Sequence, residues 1–137
     1  MKEVDMKIEV PISIGELFDK VSILEIKKHK ITDKKMLKLV NDELTLLSKY
    51  VDSIINKNKN LEEKANNLIK KLKNINEELW VIEDKKRDCE RKKIFDNNFI
   101  ELARAVYIKN DQRAELKREI NLIFDSKIFE VKSHKNY

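Results

Sequence analysis

The chain contains one proline and one glycine, Pro11 and Gly15, so the 122 residues after Gly15 run to the end of the 137-residue sequence without either. Tight turns and hairpins draw on these two residue types for the backbone angles that others resist. A chain so poor in them has to be built from a few long elements with plain connections. Hydrophobic residues make up 41% and charged residues 40%, a mixture that suits long amphipathic helices and is too apolar for a disordered chain. At this length one domain spanning 1–137 is expected.

The helices announce themselves by caps and by apolar spacing. Ser13 and Glu16 form an S-x-x-E capping box, which opens a helix over about 14–30 with Ile14, Leu17, Phe18, Val21 and Leu24 on one face and Glu25 in the same arc. Ile23 and Ile26 project from the other side, which marks a central helix or one in a dimer interface. A second helix follows the Thr32–Asp33 cap, with Leu37, Val40, Leu44, Leu47, Val51 and Ile54 at alternating spacings of three and four. The third, about 61–93, opens at an Asn60/Glu63 capping box and keeps the same rhythm from Leu61 through Leu68, Leu79 and Ile82 to Cys89. The fourth opens at an Asn98/Glu101 box and runs to about Phe124.

The short connection between the second and third helices makes them antiparallel, with Ile54 near Leu61 and Leu37 near Leu79. The expected fold is all-α: a long antiparallel helical hairpin, a coiled-coil-like arm, on a small helical base. Such an arm buries little by itself, so a homodimer is expected through the arm, at positions such as Leu47 and Leu68, with Ile23 and Ile26 as a second surface. "MKIEVPIS" and "KIFEVKS" alternate apolar and polar residues, the pattern of a two-stranded ribbon joining the termini.

Several chemistries are set aside. The formal charge of +5 comes from 30 basic and 25 acidic residues, interleaved rather than blocked, so nucleic acid is not indicated as a partner. The lone Cys89 and the polar start "MKEVDMKIEV" point to a reducing, cytoplasmic setting, and no apolar run is long enough for a membrane span. One glycine cannot form a P-loop or a dinucleotide fingerprint, and His29, His134 and Cys89 are too scattered to bind zinc. No metal and no cofactor is expected. "ELFD" and "EELWVIED" place their carboxylates in the wrong order and spacing for a helical magnesium site.

One feature resists the amphipathic pattern. Phe99, Leu102, Ala103 and Val106 define an apolar face that Ile120 and Phe124 resume, and between them the same face carries Asn110, Arg113 and Lys117. Burying two cations costs several kcal/mol unless carboxylates or an anion meet them. One reading is an internal salt-bridge network with Glu25 and Asp84, or a base end open to water. The other is a pocket for an anionic or polyhydroxylated ligand, with Arg87 as a further cation and Trp80 as a wall; Trp80, Asp84 and Arg87 share a stripe of the third helix. The candidate ligand-binding set is thus Glu25, Trp80, Asp84, Arg87, Asn110, Arg113 and Lys117, with no catalytic residue named.

The segments "PISIGELFDKVSILEIK", "NEELWVIEDKKRDCE", "FIELARAVYIKNDQRAELKREIN" and "EVKS" resemble a bacterial family known as domain of unknown function 6165. They cover about half the chain, and the arm between 32 and 73 carries none of the likeness. The resemblance implies one short helical domain and, since that family has no assigned activity, no reaction. It adds weight to Glu16, Asp19, Lys20, Trp80, Glu83, Asp84, Arg87, Arg104, Tyr107, Asn110, Asp111, Arg113 and Lys117. Two functions follow as expectations: a dimeric helical interaction or scaffold module that docks a protein partner, or a protein that binds or transforms a small anionic or sugar-like ligand in its charged base.

Overall fold

The computed structural model describes residues 6–135. It is all-helical: α1 (Ile14–Lys30), α2 (Lys34–Lys57), a single 3-10 turn (Lys59–Leu61), α3 (Glu62–Lys92) and α4 (Asn97–Ile123). No strand occurs among the described residues.

The first two helices begin where their caps place them. The Ser13 hydroxyl accepts from the Glu16 amide at 3.1 Å, and the Asp33 carboxylate accepts from the Met36 amide at 2.9 Å. The other two starts differ from expectation. Helix α3 has no side-chain cap, because the 3-10 turn leads into it and Leu61 occupies the cap position. Helix α4 is capped by Asp96, which accepts from the Phe99 amide, while Glu101 pairs with Arg104 on the surface. A carboxylate placed just before the helix outcompetes the Asn98 amide for the free amides. At the other end of α3, Lys93 turns the chain in the left-handed conformation, φ 55°, a position usually given to glycine.

A single core unites the elements. Leu17, Phe18 and Val21 of α1, Val51 of α2, Ala65, Leu68 and Leu72 of α3, and Leu116 and Ile120 of α4 form one cluster, with Leu44, Leu47, Ile54 and Ile55 packed against it. Phe18 and Phe124 meet edge to face at 5.6 Å. Helix α3 packs most extensively on α4, and α1 lies against α2, α3 and α4 alike. That central place explains the two-sided burial of α1: Leu17, Phe18, Val21 and Leu24 face one way, and Gly15, Asp19, Ser22 and Ile26 the other, all buried. Ile26, at 2% exposure, is therefore core within the protomer and not a second docking surface. Leu68 is likewise core at 7%.

The two alternating terminal segments form no ladder with each other among the described residues. Met6, Ile8 and Val10 at one end and Phe129 and Val131 at the other remain exposed. Pro11 lacks the amide that a ladder requires. Side chains join the ends instead: the Ser126 hydroxyl accepts from the Ile14 amide at 3.3 Å and donates to the Ile128 carbonyl at 2.9 Å.

Candidate functional site: a charged node between three helices

The lone glycine sets the distance between α1 and α4. A Cβ at Gly15 would overlap the Lys117 carbonyl and stand 3.0 Å from Asn121 Oδ1. Without one, α1 comes close enough for the Gly15 amide to donate to Asn121 Oδ1 at 2.7 Å. Together with Ser13 and Ser126, Asn121 satisfies the amides that open α1, so that helix end is closed to an external anion.

This approach brings the polar stripe of α4 onto α1. Arg113 Nε donates to Asp19 Oδ1 at 2.9 Å while Nη2 bonds to Oδ2, a bidentate pair. Asn76 of α3 donates from Nδ2 to Asp19 Oδ1 at 2.9 Å and to Ser22 Oγ at 2.7 Å, and Ser22 Oγ donates to the Asp19 carbonyl at 2.8 Å. Asn110 Oδ1 accepts a longer bond from Arg113 Nη1, 3.4 Å. One turn along, Lys117 Nζ lies 2.8 Å from Glu16 Oε2 and 2.7 Å from Glu130 Oε2 of the C-terminal segment. Among the described residues no buried side-chain polar atom lacks a partner.

The Asp19 carboxylate holds the Arg113 pKa above its ordinary value against the opposing effect of burial. For Lys117 burial is the largest influence and pushes the pKa down, but the hydrogen bonds to Glu130 and Glu16 outweigh it, and the net shift is upward. Three carboxylates, Asp19, Glu16 and Glu130, thus surround two cations. The cluster is fully matched within the chain and carries no surplus positive charge to attract an anion.

The candidate residues divide accordingly. Asn110, Arg113 and Lys117 come together in the node. Glu25 does not join them, because its carboxylate reaches Lys73 of α3 at 3.4 Å. Asp84 and Arg87 lie exposed farther along α3, with no ion-pair partner among the described residues, and Trp80 is half-buried. Asp19, Ser22, Asn76, Glu16 and Glu130 complete the cluster in their place. The spacing of Gly15, Asp19, Ser22 and Ile26 along α1 is the signal for this second buried face. Of the positions the family resemblance stresses, Glu16, Asp19, Asn110, Arg113 and Lys117 meet here.

Beside the node, α4 and the C-terminal segment enclose an open cleft of about 550 Å³ that includes Lys117, Arg118, Glu130, Lys132 and His134 in its lining. Among the described residues no group of three or more His, Cys, Asp or Glu side chains is arranged to hold a metal. Among the described residues no helix is long and apolar enough to cross a membrane. Comparison with protein families, curated proteins and solved structures gives no match.

Proposed function

We propose that the protein is a helical interaction module that works as a homodimer, joined through the outer face of α2. The observation that carries this reading is an apolar stripe that the protomer leaves uncovered: Met36, Leu39, Leu46 and Tyr50 are 56%, 70%, 37% and 49% exposed. These residues follow heptad spacing, with Glu43 at the one intervening polar position. Exposed apolar residues scattered over a surface need no explanation, but a continuous seam on one helix does. In this reading α2 turns its inner seam to α1 and the core and its outer seam to a partner.

A second copy of the chain is the occupant. The seam is bordered on its exposed side by Lys35, Asp42 and Lys49, of which Asp42 and Lys49 complement each other across a two-fold axis. The charged node, matched within the chain, serves as the device that locks α1, α3 and α4 together rather than as a ligand site.

The experiment is a solution mass by light scattering, with circular dichroism on the same samples. Wild type is expected as a dimer at micromolar concentration. Leu39→Glu with Leu46→Glu is expected as a folded monomer, since both side chains are exposed in the protomer. A monomeric wild type overturns the reading.

A further inference from the structure

We infer that the two copies of α2 pair antiparallel, about a two-fold axis between Glu43 and Leu46. The inference rests on the dimeric reading and adds the direction and register of the pairing.

The two flanks of the outer seam differ in kind. Val40, Leu47 and Ile54 follow Leu39, Leu46 and Ser53 and line the side that merges with the core, where Val40 is 9% exposed. Lys35, Asp42 and Lys49 precede Met36, Glu43 and Tyr50 and line the side facing away from it. In a parallel pair of helices, each such flank meets the opposite flank of its partner. Asp42 and Lys49 would then lie against apolar residues, and Glu43 would face its own copy in the centre of the seam. Like charges directly apposed in an apolar seam are unfavourable.

An antiparallel pair removes both conflicts, because each flank then meets its own kind. The apolar flanks of the two copies join into a surface continuous with both cores. On the other side Asp42 of each copy lies beside Lys49 of the other, giving two symmetric ion pairs. In the seam Leu39 stacks on Tyr50 of the partner subunit, and Glu43 lies over Leu46 of the partner subunit with its carboxylate free to reach water. Among the described residues Asp42 is paired with Lys38, at 2.9 Å on the exposed surface, where both side chains are more than half accessible and the pair is readily exchanged.

Cysteine cross-linking tests the direction. In a Cys89→Ser background, Leu39→Cys with Tyr50→Cys is expected to form disulfide-linked dimers on mild oxidation, whereas Leu39→Cys alone is not. Linkage by Leu39→Cys alone, with dimeric mass retained, shows a parallel pair and overturns the inference while leaving the dimer standing. A dimer in which none of these variants links overturns both the direction and the α2 surface. A monomeric mass overturns the dimer itself.

A charge swap gives an independent readout. Asp42→Lys and Lys49→Asp are each expected to weaken dimerisation about five- to tenfold, since each removes two symmetric pairs and introduces repulsion. The double swap is expected to restore it. If the two effects simply add, Asp42 and Lys49 do not face each other and the register is wrong.

Discussion

Asp19 and Arg113 are separated by 94 residues and meet in a two-point contact across the α1–α4 interface, where Asp19 has 1% of its side chain exposed and Arg113 has 27%. The asymmetry decides which partner can be lost. Arg113 deprived of Asp19 still reaches water, but Asp19 deprived of Arg113 is a buried carboxylate held only by Asn76. Arg113→Met is therefore expected to cost about 3 kcal/mol. Asp19→Asn, which keeps an acceptor for Asn76, is expected to cost about 1–2 kcal/mol. The double variant should be more stable than Arg113→Met alone, because no orphan charge is left. Urea denaturation of the three variants measures this, and a cost under about 1 kcal/mol for Arg113→Met would show that the pair does not secure the interface.

The parts of this arrangement that were readable from the sequence are those with a local cause. Ser13 and Asp33 cap their helices through amides three residues on, and the apolar spacing that predicts α1 to α4 depends only on neighbours along one helix. The polar interruption at Asn110, Arg113 and Lys117 was equally visible, since it breaks that spacing. Its partners were not. Glu25 shares the apolar arc of α1 and reads as the inward carboxylate, whereas Asp19 lies on the opposite arc, where Ile26 is the one large apolar residue beside Gly15 and Ser22. Only the approach of α4 over Gly15 makes that arc interior, and this is a property of two helices distant in sequence. Glu130 lies in "KIFEVKS", whose alternation predicts pairing with the N-terminal segment, and nothing near it shows that its carboxylate reaches Lys117 instead.

Gly15→Ala tests the close approach. Alanine is the better helix former by about 1 kcal/mol, so on an exposed helix the change would stabilise. Here its methyl group would overlap the Lys117 carbonyl, and backbone cannot swing aside as a side chain would. Separating α1 from α4 would also stretch the bond from Gly15 to Asn121 and the pair between Asp19 and Arg113. A net loss of about 2–4 kcal/mol is expected in thermal or urea unfolding. An unchanged or raised midpoint would mean that the helices can part at little cost.

Lys93 presents the opposite case. It ends α3 with φ 55°, where a side chain costs about 1 kcal/mol that glycine avoids. Its pair with Glu90, 3.0 Å apart, is exposed and contributes little. Lys93→Gly should raise stability by about 0.5 kcal/mol, after allowing for the greater freedom of glycine in the unfolded chain. A loss of stability would place the value of Lys93 in its side chain.

Lys117 links the node to pH. Its pKa in the folded protein is raised above the ordinary 10.5, with hydrogen bonds to Glu130 and Glu16 prevailing over burial. The folded state therefore holds this proton more tightly than the unfolded state does. The resulting stabilisation is fully present below about pH 10.5 and is lost as pH rises through the folded value. Other lysines titrate in the same range, so the informative quantity is the difference between wild type and Lys117→Met, followed by urea unfolding from pH 8 upward. The difference is expected to be constant up to about pH 10 and then to shrink, because deprotonated Lys117 no longer binds its two carboxylates. Glu130→Gln should reduce the difference and lower the pH at which its loss is complete, because the onset is set by the unfolded chain, while leaving the pair with Glu16 in place. A difference that stays constant through pH 11 would show that Lys117 stabilises the fold by packing alone, and that its charge does not hold the C-terminal segment to α4.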